Sequence, residues 1–407
     1  MPAQTPPPAP KASLAARLLT GLIIAVFFAV IVQLANLVPV LGAHNLLVDF
    51  DAFYIVGQLA WEGRAAEAYD SAAMARIQRT LVAREGFMPW TYPPQFDLLA
   101  MLLPGLPRGL SYGLFTGLTL AAYLWVLARL AGREFVWILI ALAPPIYVTV
   151  TIGQNAFLTG ALMGLFVLAT CATQNHRRAL AGWPLGLLVL KPHLGIGLGI
   201  HALAAARWRV LALAIGIALA SSALATWVLG PEIWAAFLAG VRQAGEALRT
   251  GFYPLFRMTS LYAALHTAGL APNLALAAQA TIGIAACAAI ALAVRRGLPL
   301  HQTLAMACLT SALVSPYLYD YDMVVTGIGL ALIAPDLRAR STWFDRAVLL
   351  ALIWVAGGWG MIHAIAGIDL PEATRAANAR ATFSYGAIAY LLVLALLFRI
   401  LRRPKMT

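Results

Sequence analysis

The segment VDFDAFY, residues 48–54, follows the first long apolar stretch of the chain and carries two carboxylates, Asp49 and Asp51. The apolar stretch, residues 18–41, is long enough to cross a membrane as a helix, which needs about 20 residues. The two carboxylates are therefore expected where a membrane span meets water. Because the chain has only 16 acidic residues, a pair at this position indicates chemistry rather than packing.

The composition predicts an integral membrane protein. The chain is 62% hydrophobic and 11% charged, whereas a soluble domain has about a quarter of its residues charged. Strand alternation is absent, so we expect an all-α polytopic bundle whose helices satisfy the backbone hydrogen bonds internally. With its shorter segments we expect about ten to thirteen transmembrane or re-entrant helices. The other runs of span length are residues 110–130, 208–229, 273–294 and 383–401.

Basic residues recur in small clusters beside the apolar runs. The net charge of +12 is therefore interpreted as topological, since short cytoplasmic loops collect Lys and Arg. Both termini are then cytoplasmic, and nearly all carboxylates except Glu134, Asp336 and Asp345 lie on the opposite, active face. The clusters are Lys11 with Arg17, Arg129 with Arg133, Arg177 with Arg178, Arg207 with Arg209, Arg295 with Arg296, Arg338 with Arg340, and Arg402 with Arg403 and Lys405.

The chain is predicted to form a single transmembrane domain over residues 18–401. A disordered cytoplasmic tail, residues 1–17, precedes it, and a basic cytoplasmic tail, residues 402–407, follows it. Two outer segments, residues 42–93 and 230–272, are too long to be simple connections, and such loops usually carry function.

The first outer segment is predicted to be helical. Asp70 is placed to cap an amphipathic helix over residues 71–85, with Met74 and Ile77 on its apolar face and arginines elsewhere. Such a helix lies on lipid headgroups or forms a wall of a cleft that binds a lipid substrate, and the two interpretations are compatible.

Two apolar segments are interrupted too early to span. The segment that begins with TYPPQFD, residues 91–97, is stopped by PGLP after about 10 residues. Residues 180–206 are likewise divided by LKPHLG, residues 190–195. Broken helices are tolerated at membrane depth where they line a cavity, so these segments are expected to border an outward-facing cleft.

Several polar side chains at this face have more than one interpretation. Lys191 either binds an anion such as a lipid phosphate or extends to the interface. Arg257 either offers a planar fork to phosphate or pairs with a carboxylate. Gln154 and Asn155 either bind sugar hydroxyls or, as their chemistry favours, cap the next helix.

A late segment, SPYLYDYD over residues 315–322, combines tyrosines with two aspartates at a membrane entrance. Aromatic side chains are common at that depth. Asp320 and Asp322 are not explained in this way, and they repeat the spacing of the first aspartate pair.

The motifs together resemble those of glycosyltransferase family 87. The resemblance runs from about residue 45 to about residue 334, and its motifs occur in the family's order. It implies a GT-C type fold and inverting transfer of a hexose or pentose, mannose-like, from a polyprenyl-phosphate carrier to a lipid or glycan acceptor. We expect a bacterial inner-membrane enzyme acting on the periplasmic face. The motifs are VDFDAFYIVGQLAWEGRAAEAYD, TYPPQFD, IGQN, LKPHLG, MTSLYAALHTAG and the SP of residues 315 and 316.

The resemblance also assigns roles to residues. It makes Asp49 the catalytic base, with Asp51 as the second candidate, and places Lys191 near the donor phosphate. In the mannosyltransferase branch histidines follow the SP motif, whereas Tyr321 and Asp322 stand here. The expected phosphate and lipid contacts are Lys191, His193, Arg257, Tyr319, Tyr321 and Asp322. The expected sugar and acceptor contacts are Tyr54, Tyr92, Gln154, Asn155, Ser260 and Asp320.

Chemistry agrees with this reaction class. Inversion needs one base to take a proton from the acceptor hydroxyl, and cations stabilise the departing phosphate. The absence of a GxGxxG or P-loop motif favours a lipid-linked donor and predicts no nucleic-acid partner. Asp oxygens are ligands that Mg²⁺ or Mn²⁺ accept, but a polyprenyl monophosphate donor does not require one, so we predict no metal and no cofactor.

Two other function classes remain as alternatives. A transporter or flippase for lipid-linked sugars also uses broken helices, but its site lies near the membrane midplane and internal symmetry is typical. An enzyme like an O-antigen ligase or polymerase shares the donor class, but relies on arginines and histidines of a late loop. The carboxylates clustered at one interface favour the glycosyltransferase.

Overall fold

The structure is a computed structural model that describes residues 13–43, 48–81, 87–367 and 370–406. In these ranges the regular structure consists of α-helices and short 3₁₀ helices, without strands, which confirms the all-α prediction. The first helix begins at Leu14, four residues before the predicted start of the domain, and residues 1–12 of the predicted tail lie outside the described ranges.

The α-helices of the first half are α1 (Leu14–Ala43), α2 (Asp49–Trp61), α3 (Ser71–Leu81), α4 (Pro94–Ala100), α5 (Arg108–Ala131), α6 (Phe135–Ile152), α7 (Ala156–Thr170), α8 (Asn175–Ala179), α9 (Gly182–Leu187) and α10 (Pro192–Ala204). Those of the second half are α11 (Trp208–Leu229), α12 (Ile233–Arg249), α13 (Leu261–Thr267), α14 (Pro272–Arg295), α15 (Leu300–Ser311), α16 (Thr326–Arg340), α17 (Trp343–Ala366), α18 (Glu372–Ala381) and α19 (Tyr385–Leu401). The 3₁₀ helices are Ala65–Tyr69, Gly132–Glu134, Leu188–Leu190, Leu255–Arg257 and Asp320–Val325.

Six helical stretches of the described ranges are long and apolar enough to cross a membrane. Each of the five spans predicted from apolar length overlaps one of these stretches. Helix α7 is shorter than a span, so the expected total of about ten to thirteen helices stays a prediction. One stretch contains both α5 and α6, and the Tyr112 hydroxyl near the start of α5 donates to the carbonyl of Val150 near the end of α6, which shows that the two helices run antiparallel. The stretches are Leu14–Asn36, Arg108–Ile152, Trp208–Leu229, Pro272–Arg295, Trp343–Ala366 and Ala373–Leu401.

The first outer segment is helical, as predicted. The Asp70 carboxylate accepts the backbone N–H of Ala73 at 2.8 Å and caps α3. Met74 is buried while Arg76 and Arg79 are exposed, so the predicted faces of this helix are confirmed. The remainder of the predicted helix, residues 82–85, lies outside the described ranges.

The second outer segment packs on the first through α12. The ring of Phe237 contacts that of Tyr69 edge to face, with centroids 5.8 Å apart. The Ser71 hydroxyl donates to the side-chain carbonyl of Gln243 at 2.6 Å. The two segments thus form one layer at one end of the helix bundle.

At the opposite end of the bundle, arginines surround two carboxylates, Glu134 and Asp345. Glu134 accepts hydrogen bonds of 2.9 Å from both Arg133 and Arg338, and Asp345 accepts from Arg399 and Arg403. Helix α6 has 18 residues and therefore separates Glu134 from the other end by about 27 Å. The basic clusters at this end and the first aspartate pair at the other agree with the predicted charge asymmetry.

Candidate active site

Asp49 is the first residue of α2 and is half-buried. The Nε2 atom of Gln154 donates to its Oδ1 atom at 2.8 Å. The Oε1 atom of Gln154 in turn accepts the Tyr92 hydroxyl and the backbone N–H of Asn155, each at 3.0 Å. These two donors fix the orientation of the amide, so its NH₂ group is held toward Asp49.

A glycine brings the turn between α6 and α7 to this carboxylate. Gly153 ends α6 with φ +67°, in the left-handed region that favours glycine. A Cβ atom at this position would lie 2.6 Å from the Cβ of Phe50. Only glycine therefore permits both the turn and its close approach to α2, which sets Gln154 beside Asp49.

Asp51 has a different, structural environment. It is 2% exposed, and its Oδ2 atom accepts the backbone N–H of Val48 at 3.0 Å, which caps α2. Its Oδ1 atom lies 3.3 Å from the Arg108 guanidinium. Asp51 therefore stabilises the start of α2, whereas Asp49 binds Gln154 of the IGQN motif.

The electrostatic surroundings of Asp49 suit a proton acceptor. Burial raises the pKa of Asp49 above its ordinary value, while the Arg257 guanidinium and the Gln154 amide oppose this rise in the pKa. Lys191 also lowers this pKa, and Asp320 raises it. A raised pKa gives the ionised carboxylate a greater proton affinity than an exposed aspartate has.

Two buried ion pairs lie within electrostatic range of Asp49. The Lys191 ammonium pairs with Asp322, and Arg257 donates from two nitrogens to both oxygens of Asp320, at 3.1 and 2.9 Å. Lys191 is only 7% exposed. Lys191 thus binds a carboxylate of the protein, its binding of a lipid phosphate stays a prediction, and Arg257 takes the carboxylate-pairing alternative.

Tyrosine rings cover both cations. Tyr319 and Tyr321 stack with centroids 5.2 Å apart and planes 7° from parallel. The Lys191 ammonium lies 5.1 Å from the Tyr321 ring centroid, and the Arg257 guanidinium carbon lies 5.8 Å from that of Tyr319. Attraction to the ring faces therefore helps hold the two cations in place.

A cavity of about 260 Å³ opens beside Lys191. The Nε2 atom of His193 in its wall is buried and has no hydrogen-bond partner in the described ranges. Both polar and apolar side chains line this cavity, a composition that fits an anionic head attached to an apolar chain. Its polar lining includes Tyr92, Lys191, His193, Tyr321 and Asp322, and its apolar lining includes Leu190, Val241 and Leu248.

Comparison with known families identifies the chain. A model of glycosyltransferase family 87 matches residues 90–316, more than half of the 407 residues. The chain belongs to glycosyltransferase family 87. It is therefore a membrane glycosyltransferase. Comparisons with curated proteins and with solved structures found no match.

The match covers only part of the site of this family 87 enzyme. It is narrower than the resemblance over residues 45–334, since it begins after Asp49 and ends before Tyr319. It contains Gln154, Lys191 and Arg257. Asp49 lies outside the matched range. Its connection to these residues is structural: a hydrogen bond from Gln154 and electrostatic interactions with Lys191 and Arg257.

Of three residues expected to contact the sugar, two have other partners in the family 87 enzyme. The Tyr54 hydroxyl donates to the carbonyl of Leu106 at 3.0 Å. Ser260 caps α13 by accepting the backbone N–H of Ala263 at 3.2 Å. Asn155 stands at the N-cap position of α7 but makes no capping bond, so the capping interpretation of its side chain is wrong. Its amide is buried beside Tyr92 without a well-aligned hydrogen-bond partner in the described ranges.

Two site residues were missed by the sequence reasoning. Arg108 pairs with Asp51, and the only sequence signal was a lone arginine at the start of a span. Gly360 of α17 faces the Arg257–Asp320 pair: a Cβ atom there would lie 2.7 Å from Asp320 Oδ2 and 2.8 Å from Arg257 Cα. The glycine-rich run GGWG, residues 357–360, was its signal.

No group of three or more His, Cys, Asp or Glu side chains in the described ranges is arranged to hold a metal ion. Asp320 and Asp322 are instead paired with cations. A metal-free reaction stays a prediction for this enzyme.

Proposed function

We propose that this family 87 enzyme transfers a mannose-like hexose or pentose from a polyprenyl-phosphate donor to a lipid or glycan acceptor, with inversion and on a GT-C type fold. The observation that carries the proposal is the half-buried carboxylate of Asp49, held by Gln154 within electrostatic range of Lys191 and Arg257. When a hydroxyl displaces a phosphate, a base takes the proton of the hydroxyl and cations stabilise the charge on the departing phosphate.

Asp49 is the general base of the proposed reaction. Its Oδ1 atom is bound by Gln154, so Oδ2 is assigned to take the proton of the acceptor hydroxyl. The hydroxyl oxygen forms a bond to the anomeric carbon on the face opposite the phosphate. The bond between that carbon and the phosphate oxygen breaks, and polyprenyl phosphate leaves with the electron pair.

Lys191 and Arg257 stabilise the departing phosphate in this scheme. Both cations already contact carboxylates, so the phosphate shares their donors rather than binding a bare charge. His193 offers a further polar atom in the cavity beside Lys191. Preorganised donors of this kind need little rearrangement as charge develops on the leaving group.

Tyr92 and Asn155 are the proposed sugar contacts. Tyr92 lines the cavity and Asn155 has a buried amide next to it. Gln154 is proposed to position Asp49 rather than to bind sugar, because both ends of its amide are already engaged. Tyr54 and Ser260 are removed from the proposed contacts because of their structural bonds.

We place the enzyme in a bacterial inner membrane with its termini in the cytoplasm and Asp49 facing the periplasm. The support is the gathering of arginines around Glu134 and Asp345 at the bundle end away from Asp49. Lys and Arg are enriched in cytoplasmic loops.

The test is transfer of radiolabelled sugar in membrane vesicles that contain wild-type enzyme or Asp49→Asn, with a panel of polyprenyl-phosphate sugars as donors. The proposal predicts that the wild type incorporates label from at least one donor and that the variant does not. Folded wild-type protein that transfers from none of these donors would contradict the proposal. Assays of lipid-linked sugar flipping would then follow.

A further inference from the structure

A second cavity, of about 770 Å³, lies at the bundle end opposite Asp49. It is a groove between α6, α16 and α17, and Ile400 of α19 closes one side. Glu134, Arg338 and Arg346 mark its polar end. The rest is mostly apolar and includes Ile138, Ala141, Leu330, Ala334, Leu349 and Ile353.

The polar end of this groove carries an excess of positive charge. Glu134 is shared by Arg133 and Arg338. Arg346 donates to the Ser341 hydroxyl at 2.9 Å and to the carbonyls of Arg338 and Ser341 at 3.2 and 3.1 Å, all neutral acceptors. Three guanidinium groups and one carboxylate leave two positive charges without a carboxylate in the described part of this cluster.

The same end carries exposed side chains of the kinds found at the depth of lipid headgroups. The Arg338 side chain is 51% exposed, and Trp343, which lines the groove, is 78% exposed. Tryptophan is enriched where the bilayer meets water. An apolar groove that opens beside exposed arginines at this level has the two parts that a phospholipid requires.

We propose that this groove binds an anionic phospholipid of the leaflet opposite the active site. An acyl chain occupies the apolar groove, and the headgroup phosphate contacts Arg338 and Arg346. Anionic headgroups are favoured over zwitterionic ones because Arg346 has no carboxylate partner in the described ranges and Arg338 shares the single charge of Glu134 with Arg133. Each such arginine contributes about a fivefold preference.

The experiment is native mass spectrometry of the purified full chain after equilibration in micelles with equimolar phosphatidylglycerol and phosphatidylcholine. The wild type is expected to retain phosphatidylglycerol by about fivefold or more over phosphatidylcholine. The double variant Arg338→Gln/Arg346→Gln should lose that preference. The control Arg295→Gln/Arg296→Gln removes the same charge from a basic cluster outside the groove and should keep it.

A third variant separates the groove from the charges. Ala334→Phe fills the groove and leaves both arginines in place, so it should lose the retained phosphatidylglycerol. The preference is a ratio between two lipids on one folded variant, so a general loss of stability does not imitate it. Equal retention of both lipids by the wild type would overturn the proposal, as would an unchanged preference in Arg338→Gln/Arg346→Gln or in Ala334→Phe.

Discussion

The side-chain amide of Gln154 donates a 2.8 Å hydrogen bond to the carboxylate of Asp49, 105 positions earlier in the chain. Tyr92 holds the other end of that amide. One oxygen of Asp49 is thereby occupied and its rotation is restricted. The second oxygen remains the atom to which an acceptor hydroxyl can give its proton.

The two aspartates of the first motif are expected to differ on substitution. Asp49→Asn keeps an oxygen for Gln154 but removes the base, so transfer should fall by about a hundredfold or more, with an unchanged thermal unfolding midpoint. Asp51→Asn loses the charged cap of α2 and the pair with Arg108, so it should lower the stability by about 1 kcal/mol or more. Vesicle transfer assays and thermal unfolding in detergent measure both. Undiminished turnover in Asp49→Asn would contradict the base assignment.

Gln154→Leu should change the pH dependence of transfer. The amide favours the ionised form of Asp49, so its loss raises the pKa of that carboxyl further. The base must be ionised, and the acidic limb of the kcat profile should therefore move to higher pH while kcat falls. The control Gln302→Leu removes an amide that binds Asp336 at the other end and should leave the profile in place. An unmoved limb in Gln154→Leu would show that Gln154 has only a packing role.

Lys191→Met should separate stability from donor binding. The single variant leaves Asp322 buried without its partner and should cost about 3–5 kcal/mol of stability. The double variant Lys191→Met/Asp322→Asn removes both charges and should recover most of that loss. If Lys191 contacts the donor phosphate, KM for the donor stays raised in the double variant. A wild-type KM there would remove Lys191 from the donor site.

Gly360→Ala should disturb the Arg257–Asp320 pair. The added methyl group would lie 2.7 Å from an Asp320 oxygen, so the pair must shift, at a cost of about 1–3 kcal/mol. Transfer should fall with it. Gly216→Ala in α11 is the matched control, because its Cβ would have no atom within 4 Å. Similar unfolding midpoints and activities for the two variants would contradict this role of Gly360.

The two ends of the bundle should label from opposite sides of the membrane. Arg403 contacts Asp345, at the end of the bundle that is proposed to face the cytoplasm. A reporter fused at the C-terminus is therefore expected in the cytoplasm. In a background with Cys171, Cys287 and Cys308 changed to serine, Arg76→Cys on exposed α3 should react with an impermeant thiol reagent added to intact cells. A periplasmic C-terminal reporter would reverse the proposed orientation.

The sequence by itself determined the apolar spans, the break at Lys191 and Pro192, and the cap of α3 at Asp70. These features depend on local chemistry: length of apolar run, the missing N–H of proline, and a side chain that reaches a backbone group three residues away. The sequence also indicated most of the polar residues that meet around Asp49. Ionisable side chains are costly in a membrane, so those that occur there usually have a function.

Only the tertiary structure decided which of these residues are partners. Lys191 and Asp322 are 131 positions apart, and Arg257 and Asp320 are 63 apart. Their pairing depends on how the helices pack, on close approaches at Gly153 and Gly360, and on which donors remain once each cap is satisfied. The structure thus distinguished Asp49, bound by Gln154 from 105 positions away, from Asp51, because hydrogen bonds over such separations follow from packing and not from spacing in the chain.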